Sequence, residues 1–256
     1  MKYWTVIGMF FLTMNTLRAQ QAFQPLDLTA VHIDLPIQYL PPLSEQNDSL
    51  FPAVLFLHGS GERGSDNLKQ LTHGGDFFLS EENRTTYPCH VFFPQCPDTI
   101  KWVNYPYFNP QYDLSSAPSY VMDQLVQLVN WISLQKNVDP TRIYIMGLSM
   151  GGFATWELAF RQSDKIAAVV PICGGGDPRH AGVFMTIPSR MYHGEKDLII
   201  SVQQSLIVQN AILQQQTETG NTASHELILL PDYDHNSWDA AFADKQLLTW
   251  LFDQRK

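Results

Sequence analysis

Apolar residues recur in this chain in two rhythms. Short, nearly unbroken runs stand at Phe51 to Leu57, Val91 to Pro94, Arg142 to Met146, Ile166 to Ile172 and Glu226 to Leu230, and the more polar Ser189 to His193 reads as a further strand. Runs of about four to eight residues rich in β-branched and aromatic side chains are what strands buried on both faces need. Asp27 to Tyr39 alternates loosely and predicts one or two edge strands, closed by Pro41-Pro42. Between the runs the spacing turns helical. Tyr120 to Leu134 carries apolar residues at 121, 125, 128, 129 and 132, one face of an amphipathic helix. Phe153 to Phe160, Val202 to Leu213 and Trp238 to Phe252 are predicted helices too. Strands alternating with helices predict βαβ units, hence an α/β fold with a mostly parallel central sheet flanked by helices. The gap from Ile172 to Ser189 is short, so no large lid domain is expected and a site at that edge should have an open mouth.

At 256 residues with 45% hydrophobic, the chain can form one compact domain with a substantial core, and no repeat or linker divides it. Met1 to Ala19 stands apart: Lys2 precedes an apolar run from Tyr3 to Met14, and Leu17-Arg18-Ala19 offers a cleavage point. This predicts a signal peptide at 1–19, a single domain at 20–256, and a secreted or periplasmic location. The run is short for a membrane span and no second one follows, so no membrane partner is expected after cleavage. Losing Lys2 and Arg18 makes the formal charge, −9 for the whole chain, two units more negative. Such a surface argues against nucleic acid as a partner and is silent on a neutral substrate. Three cysteines, Cys89, Cys96 and Cys173, make no disulfide framework, and no His/Cys grouping has zinc spacing, so no metal is implied.

The chemistry is concentrated at Gly147-Leu148-Ser149-Met150-Gly151. A strand before it and a helix after it give this G-x-S-x-G pattern its meaning: a sharp turn presents the serine hydroxyl at a helix N-terminus. The strained turn demands neighbours without a Cβ, which accounts for glycine at 147, 151 and 152. A serine nucleophile needs a base, and the base needs an acid to fix its tautomer. His58, His193 and His235 each follow a predicted strand. Asp197 and His235 satisfy the order serine, acid, histidine, each a few residues past a strand. His193 is expected to be a structural turn residue donating to backbone, and Asp232 and Asp234 to be solvated. For the oxyanion, the N–H of Met150 is one donor by geometry. The loop His58-Gly59-Ser60-Gly61 offers the second, Ser60 before Gly61. Glu62 and Arg63 in that loop are expected to pair with each other. Trp102, Tyr105, Tyr107, Phe108, Tyr112 and Trp238 could stack on an aromatic acid or a sugar, or pack their loop on the core; Trp102 and Trp238 are the substrate-binding candidates.

Several stretches taken together resemble a known group of serine hydrolases. They are His58-Gly59-Ser60-Gly61-Glu62-Arg63-Gly64, Phe93-Pro94-Gln95-Cys96-Pro97, the Ser149 turn, Pro171 to Asp177, His193-Gly194-Glu195-Lys196-Asp197 and Asp234-His235-Asn236-Ser237-Trp238. The group is the α/β-hydrolases of the polyhydroxybutyrate-depolymerase and feruloyl/acetylxylan esterase type, phospholipase/carboxylesterase-like and including predicted peptidases. The resemblance spans roughly residues 30 to 254. It implies the α/β-hydrolase fold and Ser149, Asp197 and His235 as a triad. The function expected is ester hydrolysis without a cofactor, on a small-molecule or polysaccharide-linked ester. A serine peptidase and a non-catalytic carbohydrate-binding protein on the same scaffold are the alternatives.

Overall fold

The computed structural model describes residues 22–43, 49–104 and 117–256. The expected leader at 1–19 and the aromatics Tyr105, Tyr107, Phe108 and Tyr112 lie outside the described residues. In chain order the elements are β1 (Gln24–Pro25), β2 (Ile37–Leu40), β3 (Phe51–Leu57), α1 (Gly75–Leu79), α2 (Glu81–Thr86), β4 (His90–Pro94) and α3 (Tyr120–Ser133). Then come β5 (Val138–Leu148), α4 (Met150–Arg161), β6 (Ile166–Ile172), β7 (Ser189–Gly194), α5 (Gln203–Thr219), β8 (His225–Leu230), α6 (Trp238–Ala243) and α7 (Gln246–Asp253).

The strands form one sheet in the order β1-β2-β4-β3-β5-β6-β7-β8. β2 pairs antiparallel with both β1 and β4 at one edge, and the neighbours from β4 to β8 run parallel. The apolar runs explain the layering. Leu55, Leu57, Ile145 and Val169 face one core, packed under α3, α4 and α5. Val54, Phe56, Tyr144, Met146 and Val170 face a second core with Phe78 of α1, Ala241 of α6 and Leu247, Leu248 and Leu251 of α7. An uninterrupted apolar run is thus two period-2 faces, each buried against its own helices. The chain leaves β3 toward β4 on one side and returns to β5 on the other. Loops after β3 and β5 therefore splay apart at the carboxyl edge, where open α/β sheets hold their ligands. Between β6 and β7 there is only a short 3₁₀ helix, Pro178–Thr186, started by the Asp177 carboxylate accepting the Arg179 N–H.

Two expectations need correction. The final helix is broken: Asp244 is extended (φ −72°, ψ 106°), separating α6 from α7. The helical period runs on through this point, but the Asp244 carboxylate is held elsewhere. It accepts the Tyr192 hydroxyl at 2.7 Å and Arg190 at 3.1 Å, and its other oxygen accepts the Gln246 N–H at 2.9 Å. Helix α5 runs past Leu213 to Thr219, because its polar second half still favours helix until Gly220 stops it in a left-handed conformation (φ 70°). No helix among the described residues is long and apolar enough to cross a membrane.

The Asp244 contacts generate a stability prediction. Asp244→Ala removes a helix-start acceptor, strands the Tyr192 hydroxyl and leaves Arg190 with Glu226, so a loss of about 1–3 kcal/mol is expected in urea unfolding. Asp244→Asn, which can still accept, is expected to lose less; equal losses would mean that these hydrogen bonds do not anchor the break.

Candidate active site

Ser149 sits between β5 and α4 with φ 53° and ψ −117°, a left-handed value that a non-glycine residue holds only under constraint. The constraint is the closeness of α4 to the sheet. A Cβ on Gly151 would lie 1.9 Å from the Leu57 carbonyl oxygen of β3, and one on Gly152 would lie 2.7 Å from the Ile172 carbonyl oxygen of β6. One on Gly147 would meet the Gly151 carbonyl oxygen at 2.3 Å. The serine N–H donates to the Ile172 carbonyl at 2.9 Å, and the serine carbonyl accepts from Gly152 and Phe153. The first turn of the helix is thereby pressed onto the strand ends, and the hydroxyl is aimed out of the sheet.

The partners arrive from two other strand ends. Gly194 closes β7, and a Cβ there would meet the Asp234 and Tyr233 carbonyl oxygens at 2.2 and 2.4 Å. The β7 turn and the loop after β8 are backed against each other, with Glu195 N–H on the Leu230 carbonyl and Lys196 N–H on the Tyr233 carbonyl, both at 3.0 Å. This seats His235 beside Asp197. His235 Nδ1 lies 2.7 Å from Asp197 Oδ2, and its Nε2 lies 2.9 Å from Ser149 Oγ. An ionised carboxylate only accepts, so Nδ1 carries the hydrogen and Nε2 accepts from the serine hydroxyl.

The Asp197 side chain is fully enclosed. Burial by itself would raise its pKa. Hydrogen bonds from His193, His235 and the Ile200 N–H outweigh that and hold the carboxyl well below the usual range. Its Oδ1 accepts the Ile199 and Ile200 N–H groups at 2.9 and 2.8 Å. Asp232 and Asp234 are exposed, as expected, and Asp232 pairs with Lys196 at 3.0 Å on the surface.

The loop after β3 passes the serine closely: a Cβ on Gly59 would lie 3.6 Å from that of Ser149 and 2.9 Å from Leu148 Cδ1. Ser60 opens a 3₁₀ turn there, while Met150 is the first residue of α4. His58 fixes the loop from behind. Its Nε2 accepts the Cys96 N–H at 2.9 Å, so Nδ1 donates to the Gly59 carbonyl at 2.6 Å. Burial drives its pKa down to about 4 against the opposing Gly59 hydrogen bond, so it stays neutral.

Several expectations shift here. Trp102 is wholly buried, its indole N–H donating to the His58 carbonyl at 3.1 Å, so it braces this loop and offers no ring face to a substrate. Trp238 remains at the mouth, edge-on to His235 (5.6 Å, 87°) and tilted over His73 (4.9 Å). Glu62 and Arg63 do not pair. Arg63 donates to the carbonyls of Ser60, Asp98 and Ile100, and Glu62 lies 3.6 Å from His73 Nε2. His73 has no sequence signal that would place it near the site. Cys173, Asp197 and His235 have donor atoms within 4.8 Å of one another. The acid and the imidazole are already bonded to each other, and burial pushes the thiol up to about 12, so the set suits proton transfer better than a metal.

A family model described as phospholipase/carboxylesterase matches residues 43–247. The chain belongs to that family. Among solved structures, a thermostable esterase superposes with a TM-score of 0.79 at 28% identity, covering 92% of this chain and 64% of that one. Among curated proteins, a bifunctional acetylxylan esterase/xylanase of Neocallimastix patriciarum is 30% identical over 78 residues, 30% of this chain. A poly(3-hydroxyalkanoate) depolymerase of Paucimonas lemoignei is 39% identical over 49 residues, 19% of this chain. The matched stretches span only 12% of each of these two relatives.

The tight glycine contacts make a prediction. Gly151→Ala is expected to destabilise by on the order of 3 kcal/mol or more, since its neighbours are backbone atoms that cannot yield. Gly61→Ala, which has nothing within 4 Å of a new Cβ, is expected to change the melting temperature little. Comparable melting points for the two variants would refute the steric account.

Proposed function

We propose that the chain hydrolyses carboxylic esters through an acyl-enzyme. The observation that carries this is the unbroken relay from Asp197 through His235 to the Ser149 hydroxyl, at 2.7 and 2.9 Å. His235 Nε2 takes the hydroxyl proton as Ser149 Oγ bonds to the ester carbonyl carbon, and Asp197 stabilises the imidazolium. The N–H groups of Met150 and Ser60 hold the oxyanion. Collapse breaks the C–O bond to the alcohol, which leaves with the proton from His235. Water then loses a proton to His235 and attacks the acyl carbon, freeing the acid and restoring Ser149. We read residues 20–256 as the catalytic domain of an exported enzyme.

For the substrate we propose feruloyl or acetyl esters of plant polysaccharide. The acetylxylan esterase relative favours it, as does a cavity of about 620 Å³ that starts at Trp238. Phe77, Tyr87 and Phe242 supply rings there, and Asp76, Glu82 and Asp239 supply acceptors for hydroxyls.

Ser149→Ala is expected to lower kcat by on the order of 10⁴ to 10⁶ with the fold intact by circular dichroism. Undiminished turnover of p-nitrophenyl acetate would refute the mechanism. Trp238→Ala is expected to raise KM at least several-fold for acetylated xylan and to change it little for p-nitrophenyl acetate. Equal effects on both, or a preference of the unaltered enzyme for long acyl chains, would overturn the polysaccharide reading.

A further inference from the structure

His193 is a buried titratable group at the site that the reaction above leaves without a task. Its side chain is fully enclosed at the end of β7, four residues before Asp197. Its Nε2 faces two oxygens, the Ile200 carbonyl at 2.9 Å and Asp197 Oδ2 at 3.3 Å. Both are acceptors, so Nε2 carries a hydrogen shared between them. Its Nδ1 faces Ser205 Oγ at 2.7 Å, and the same hydroxyl lies 2.9 Å from the Gly174 carbonyl. Ser205 has one hydrogen. Given to Gly174, it requires a second proton on His193; given to Nδ1, it leaves the ring neutral. In either state Nε2 keeps a hydrogen, donated to the Ile200 carbonyl, with Asp197 Oδ2, the same oxygen that receives His235 Nδ1, 3.3 Å from that nitrogen.

We propose that His193 is a positioning residue that sets the basicity of His235 by sharing Asp197 Oδ2 with it. The inference rests on the triad reading. Each donor on a carboxylate oxygen draws charge toward itself, and less remains to stabilise an imidazolium at His235. His235 therefore releases its proton at a lower pH than it would with Asp197 to itself, and stays a free base over a wider range. The other groups around the pair are the Ser149 hydroxyl, the protonated Cys173 thiol, the edge of Trp238, and beyond it His73 with Glu62. Exposed Asp234 and the Lys196–Asp232 pair lie outward in the solvent. Among the described residues only the two imidazoles are within reach of Oδ2 as side-chain donors.

The test is a pH titration of the full chain by NMR with ¹⁵N-labelled histidine, in the unaltered protein, His193→Leu and His193→Gln. His193 Nε2 is expected to stay protonated throughout. The His235 midpoint is expected to rise by on the order of half a pH unit or more in His193→Leu. It should return toward the original value in His193→Gln, whose amide N–H can reach the same oxygen. The acid limb of kcat/KM should move in step. A residue that only fills space would lower the melting temperature in both variants without separating their midpoints, and that result would overturn the proposal. So would an unprotonated Nε2, which the unaltered protein reports even if His193→Leu does not fold. The midpoints need no turnover, so a protein inactive on esters would count against the esterase reading and leave this one to be judged on its own.

Discussion

An ionised carboxylate enclosed in protein is the interaction on which the rest of this site depends. The Asp197 side chain is closed off from bulk solvent, so its charge is met by fixed donors. Two backbone N–H groups satisfy one oxygen and two imidazoles the other. Each donor comes from a place the fold must hold: the turn after β7, the end of β7 itself, and the loop after β8. The price of losing any one is an under-compensated buried charge, costing roughly 1–3 kcal/mol. The same network that keeps the acid ionised therefore ties three segments together, and the imidazole of His235 inherits its orientation from that tie.

The second constraint is steric. Glycines at 147, 151 and 152 let the start of α4 approach the ends of β3 and β6 more closely than any side chain permits. That approach holds Ser149 at positive φ and brings its hydroxyl to the imidazole. Because β3 and β5 are neighbours whose connections leave in opposite directions, the loop carrying Ser60 rises beside the serine. His58, Cys96 and Trp102 then clamp that loop from the protein side.

Much of this was legible in the amino-acid order. Phe51 to Leu57 and Ile166 to Ile172 stand at their expected bounds, because a strand buried on two faces announces itself as an apolar run. Ser149, Asp197 and His235 could be named because each lies just past such a run, and a parallel sheet gathers those positions at one edge. The failures share a cause. The break at Asp244 and the burial of Trp102 are decided by partners 52 and 44 residues away. Helices α1 and α2 are short, at five and six residues, and α2 is wholly polar, so no periodicity marks them. His193 was placed correctly at a strand end, and its contact with Ile200 is the backbone donation expected of it. Its approach to Asp197 needs the turn of β7 folded before it becomes visible.

The division between these two kinds of residue has a mechanical consequence. The glycine turn around Ser149, Asp197 and His58 are buried at the strand ends, where a substitution disturbs core packing as well as chemistry. The mouth is different: His73, Phe77 and Tyr87 stand on or beside the two short helices, and Trp238 and Phe242 on α6 across from them. These side chains are only partly buried. Their ring contacts, such as Phe77 stacked on Phe242 at 5.0 Å, bridge the two walls of the cavity. Changes there can widen or narrow the cavity at small cost to stability. Trp238 alone belongs to both sets, one edge on His235 and a face toward His73, so what fills the cavity is felt one side chain away from the base.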